Sequence, residues 1–116
     1  MLFRSLSEAA ATIAARARSA EDPSAVATIR LFIESYASVT ADLALASLPR
    51  GGVFLAGGVT PKLLDFLLQP SFLAAFHNKG RMSPIVTSLP VHAVLEERCG
   101  LLGATLAATR LALTDC

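Results

Sequence analysis

The string GGVFLAGGVTPK, residues 51–62, constrains the fold more than any other part of the chain. Two glycine pairs bracket four apolar residues, 53–56, and Pro61 then opens a helix-like run. So short a continuous apolar run predicts a strand. Its lack of alternation predicts that both faces are covered, as is usual in parallel sheets. A second strand is predicted at residues 91–95, after Leu89 and Pro90. The stretch between them reads as helix, so the strands are expected to run parallel, joined by a right-handed crossover.

The remaining segments read as helices. Ser5 and Glu8 have capping-box spacing, and the alanine-rich run to about Arg18 has high helix propensity. Residues 21–24 break it, with Asp22 placed to cap a second helix and Pro23 at its first position. Ile29, Phe32, Ile33, Tyr36, Thr40 and Leu43 then recur at helical spacing as one apolar face. Leu48, Pro49 and the first glycine pair end that helix. A third helix is expected from Pro61 to Leu68, and a short one capped by Ser71 and carrying Phe72 and Phe76. Asn78, Lys79 and Gly80 close it. Residues 81–89, with Pro84 inside and Pro90 just after, read as connector with one irregular turn, and residues 101–113 as a final helix. The predicted order is helix, helix, strand, helix, helix, strand, helix.

A chain of 116 residues is the size of one small domain, yet 53% of it is hydrophobic and only 16% charged. This implies apolar faces that meet material outside the chain. The net charge of +1 is scattered, with no basic stripe, so nucleic acid is not an expected partner. The longest apolar run near the C-terminus is too short to span a bilayer, and the N-terminus lacks the apolar centre of a secretory signal. A cytoplasmic location is expected. Cys99, Cys116, His77 and His92 have no metal-ligand spacing. Glu96 and Glu97 are adjacent, so in extended backbone they face opposite ways and make a poor acid/base pair. Lys62 and Asp65 are spaced for a surface ion pair on a helix. Arg4, Arg16 and Arg18 read as a solvated helix face.

A strand running into Gly57 and Gly58, then a helix, is suited to a nucleoside or phosphate, because glycine leaves the backbone open to close approach. On these residues alone the pair serves as well, and more often, as a tight strand-to-helix turn. No GxxxxGK[ST] string is present, so this is not a P-loop.

Taken together, GGVFLAGGVTPKLLDFL, SFLAAFHNKGRMS and LPVHAVLEERCGLLGATLAA resemble the C-terminal portion of bacterial glucokinases, ATP-dependent hexose kinases of the hexokinase–actin superfamily. The resemblance covers residues 25–113. Residues 23–116 would be the C-terminal part of the family's large lobe, and residues 1–22 an N-terminal helix that matches less distinctly. The implied fold is α/β, part of a ribonuclease-H-like or actin-like ATPase lobe with two short parallel strands. The resemblance implies that Gly57 and Gly58 lie against the adenosine of ATP, with Val59, Thr60 and Pro61 as the wall beside it.

The family's DxGGT phosphate loop, its Asn-Asp sugar pocket and its catalytic base have no counterpart in this sequence, so no catalytic residue and no metal ligand is assigned. The expected role is a contribution to the nucleotide site of an enzyme that uses glucose, ATP and Mg²⁺, without activity of the chain alone. The rival expectation is a non-catalytic kinase remnant acting as an interaction or oligomerisation module. Either way, a bare sheet edge predicts self-association or pairing with an N-terminal half.

Overall fold

The 25-residue helix α2 (Pro23–Ser47) begins where its sequence demands. Asp22 sits in extended backbone and its carboxylate accepts from the N–H groups of Ser24 and Ala25, with Pro23 in the first turn. This is seen in a computed structural model that describes residues 2–114, and the side chains from residue 8 onward. Preceding α2 is α1 (Leu2–Ser19). It already includes Ser5 in its helical body, so Ser5 does not begin the helix as its capping-box spacing predicts. Its side chain lies outside the described ones.

After α2 come β1 (Val53–Leu55), α3 (Val59–Lys62), α4 (Leu64–Leu67) and α5 (Pro70–His77). A 3₁₀ turn (Gly80–Met82), α6 (Ser83–Thr87), β2 (Val91–Ala93) and α7 (Cys99–Thr114) complete the chain. β1 and β2 pair in parallel, with Val53 opposite Val91, Phe54 opposite His92 and Leu55 opposite Ala93. The mainly helical α/β character and the parallel strand pair agree with the sequence reading.

The helical segments differ from it in detail. The third helix starts at Val59, ahead of Pro61, which is tolerated because first-turn N–H groups have no helical acceptor anyway. It breaks at Leu63, where φ −112° and ψ 19° leave the helical region, so α3 and α4 are separate. α5 starts at Pro70 with Gln69 as its cap, which places Ser71 inside the helix; the fixed φ of proline suits the first position. Residues 81–89 hold a five-residue helix rather than one irregular turn, and both strands are shorter than read.

The chain divides into two units, Met1–Leu48 with Asp65–Ser88, and Pro49–Leu64 with Leu89–Cys116. In the first, α2 packs against α1, α5 and α6. The buried stripe of α2 is Ala25, Ile29, Ile33, Ala37, Thr40, Ala41 and Ala44. Phe32 and Leu43, expected in the apolar face, are 44% and 66% exposed. The alanines allow close helix contact, and the stripe follows them rather than the larger side chains. Opposite them, Phe72 and Phe76 stack with centroids 6.3 Å apart, and Tyr36 meets Phe72 edge-on.

Polar contacts tie the same unit together. Lys79 Nζ donates to Asp42 Oδ1 at 2.7 Å and to Ser38 Oγ at 2.9 Å, fastening the turn after α5 to α2. Arg18 donates to both oxygens of Asp65 and lies over the Phe66 ring at 5.3 Å. Hydrogen bonding from Arg18 holds the Asp65 carboxyl below the usual range. Asp65 is therefore engaged by α1. Arg18 is a cross-element tie, not part of a merely solvated face.

In the second unit, Leu55 is buried while Phe54, on the other face of β1, is 62% exposed. The expectation of a strand covered on both faces fails within this chain. Among the described residues, the aromatic neighbour of Phe54 is the ring of His92, stacked at 5.0 Å.

Candidate functional site

The two glycine pairs differ in kind. Gly52 has φ +114°, and a Cβ there would lie 3.2 Å from the His92 ring and 3.2 Å from the Pro90 carbonyl oxygen. Only glycine fits, since the chain turns there to place Val53 N–H on Pro90 O at 2.8 Å. The first pair is thus architectural, as read from the sequence.

Gly57 also has positive φ, +106°, as the chain leaves β1. Gly58 is helical, at φ −67° and ψ −20°, and serves as the residue before α3. A Cβ on either would meet no described atom within 4 Å. Gly58 and Val59 are exposed, Gly57 and Pro61 half-buried. The bend is therefore an open stretch of backbone at the surface, with a short apolar shoulder formed by Val59 and Pro61.

Thr60 stands apart from these four. Its side chain is fully buried, and its hydroxyl is the one buried side-chain polar atom without a hydrogen-bond partner among the described residues. Sequence reasoning had no means of finding this, because a threonine in a first turn ordinarily faces solvent or caps its own helix. Desolvating an unpaired hydroxyl costs about 1–3 kcal/mol. Thr60→Val, which keeps the branched shape, is expected to raise stability by about 1 kcal/mol in urea unfolding. A loss of similar size would mean that the hydroxyl is in fact bonded.

The other chemistry-bearing residues are not gathered at the bend. His77 lies edge-on to Phe76 at 5.6 Å, and His92 stacks on Phe54. Glu96 is hydrogen-bonded by Arg98, through the side chain at 3.0 Å and the backbone N–H at 2.9 Å, which lowers its pKa. Among the described residues no group of three or more His, Cys, Asp or Glu is placed to hold a metal ion. No helix among them is long and apolar enough to cross a membrane. Two concavities of about 470 and 430 Å³ lie wholly in the first unit, along α2 and α5, and include none of the five residues of the bend.

Comparison with known proteins supplies what this geometry lacks. A family model described as Glucokinase matches residues 3–111. Glucokinase of Nostoc sp. (strain PCC 7120 / SAG 25.82 / UTEX 2576) is 45% identical over 83 residues, which is 72% of this chain and 24% of that protein. Glucokinase of Synechocystis sp. (strain ATCC 27184 / PCC 6803 / Kazusa) is 38% identical over 101 residues, 87% of this chain and 28% of the relative. Glucokinase of Sinorhizobium fredii (strain NBRC 101917 / NGR234) is 40% identical over 93 residues, 80% and 27% respectively. The chain thus spans about a quarter of the length of the curated relatives it matches, in their C-terminal portion.

Proposed function

The chain belongs to the glucokinase family, and we propose that it forms the adenosine side of the nucleotide site in an ATP-dependent glucokinase, as part of an actin-like lobe. One observation carries this reading: the bend at Gly57 and Gly58 presents bare backbone to open space directly after a strand of a parallel pair. Ligands of open α/β sheets sit beyond the carboxyl ends of the strands, where this bend lies. A purine can lie flat there because no side chain stands in the way. Val59 and Pro61 form the apolar wall, and buried Thr60 holds the turn from inside. Transfer of the γ-phosphoryl group to glucose would rest on Mg²⁺ and on groups in the remaining three quarters of the family's length.

Gly58 offers a clean test. It has ordinary helical backbone and open space around it, so Gly58→Val is neither strained nor clashing. The substitution is best placed in a chimaera in which this chain replaces the matching C-terminal portion of the Nostoc glucokinase. The new side chain would project where the nucleoside is to lie. KM for ATP is expected to rise about tenfold, a loss of about 1.4 kcal/mol of binding, with KM for glucose unchanged. Equal effects on both substrates, or none on ATP, would refute the assignment.

A further inference from the structure

Every threonine of the chain except Thr60 donates its hydroxyl to the carbonyl four residues back, as Thr28 does to Ser24 and Thr40 to Tyr36. That bond is a common way for a helical threonine to satisfy its hydroxyl. Thr60 is helical too, in α3, and fully buried, yet its hydroxyl has no partner among the described residues. The carbonyl four residues before it belongs to Ala56, between the end of β1 and Gly57. Among the described residues the backbone N–H of Thr60 does not reach that carbonyl either. The hydroxyl is enclosed by this chain itself, so no group from other sequence meets it without displacing its present neighbours.

The turn at Gly57 is the cause. Its φ of +106° carries the Ala56 carbonyl off the path of α3, although Gly58 is already helical at φ −67° and ψ −20°. Turning over the one peptide between Ala56 and Gly57 would bring Gly57 to negative φ, which glycine adopts as readily as positive. Room for that rotation exists, since a Cβ on Gly57 or Gly58 would meet nothing within 4 Å. α3 would then begin at Gly57, and the Ala56 carbonyl would take its ordinary place four residues before Thr60. The C=O and N–H of a trans peptide point opposite ways, so the same rotation turns the Gly57 N–H toward the open side of the bend.

We propose that Thr60 is a positioning residue for the nucleotide: its hydroxyl holds the Ala56–Gly57 peptide in a second orientation, in which the Gly57 N–H donates to an acceptor atom of the nucleotide. This rests on the reading of the bend as the adenosine side of the site. Without nucleotide the peptide lies as described above and the hydroxyl stays unpaired. Nucleotide selects the rotated form because only that form offers it the extra donor, and a ligand shifts such an equilibrium by its differential affinity alone. Valine at position 60 keeps the branched shape and removes the hold. The variant expected to be the more stable one is therefore expected to bind ATP less well.

The test uses the same chimaera, unsubstituted and with Thr60→Val or Thr60→Ser. Thr60→Val is expected to raise KM for ATP about tenfold, with kcat and KM for glucose unchanged. Thr60→Ser, which keeps the hydroxyl, should recover KM for ATP to within about twofold. In the unsubstituted chimaera, amide exchange at Thr60 should slow at least about tenfold when ADP saturates the site, because its N–H gains the Ala56 carbonyl. An unchanged KM for ATP in Thr60→Val, equal losses in both variants, or exchange at Thr60 indifferent to ADP would overturn the proposal. Gly58→Val separates it from the reading on which it rests. A raised KM for ATP in Gly58→Val beside a normal one in Thr60→Val keeps the nucleoside wall and rejects the rotation. Slowed exchange at Thr60 with ADP, with KM for ATP unmoved by Gly58→Val, does the reverse.

Discussion

Purified as the 116-residue chain, the protein is expected to give no magnesium- and ATP-dependent phosphorylation of glucose above ~10⁻⁴ of a whole glucokinase's rate. A general base alone contributes roughly 10²–10⁴ in such reactions and works best with a pKa near the operating pH. Five of the carboxylates are engaged in structural contacts. Asp22 caps α2, Glu34 pairs with Arg30, Asp42 with Lys79, Asp65 with Arg18 and Glu96 with Arg98. Asp65 and Glu96 are shifted down, away from the range a base needs, by hydrogen bonds from their arginines. A coupled assay with glucose, ATP and Mg²⁺ measures this directly. Turnover within about a hundredfold of a full-length relative would show that the chain carries its own phosphate and sugar machinery.

The largest effect on stability is expected at Phe76. It is fully buried in α5, stacked on Phe72 and edge-on to His77, in the helix that packs against both α2 and α6. Removing its ring leaves a cavity among helices held close by alanines, so Phe76→Ala should cost about 3–5 kcal/mol. Whole domains are typically stable by only about 5–15 kcal/mol, so this variant should be largely unfolded near room temperature in mild denaturant. Leu73→Ala on the same helix is the control: Leu73 is 47% exposed, and its loss should cost well under half as much. Equal urea midpoints for the two variants would mean that α5 is not packed as described.

The sequence showed some of this plainly and concealed the rest for physical reasons. Local signals were readable: Asp22 followed by Pro23 specifies a helix start whatever surrounds it, and Asn78 to Gly80 end α5 where expected. The parallel strand pair followed from apolar runs separated by helix. The inward face of α2 was legible in part: Ile29, Ile33 and Thr40 are buried as their spacing predicts, whereas Phe32 and Leu43 are not, because packing selects the alanines that let a neighbour approach. Phe54 misled for a related reason. Its apolar run describes a strand covered on both sides, and the cover is absent from this chain. The partner of Asp65 was out of reach too, since Arg18 is 47 positions away and only the fold brings them together. At the candidate site, the glycines were legible as open backbone, but the burial of Thr60 depends on packing that no local pattern encodes.

The claim that the bend after β1 lies against adenine is tested most directly by photolabelling. The chimaera of this chain with the Nostoc enzyme is irradiated with an 8-azido-adenosine nucleotide and digested with trypsin, which cuts after Arg50 and Lys62. Label is expected in the peptide of residues 51–62, suppressed by excess ATP and reduced by Gly58→Val. ATP-suppressible label confined to peptides of α2 and α5, with residues 51–62 unmarked, would contradict it.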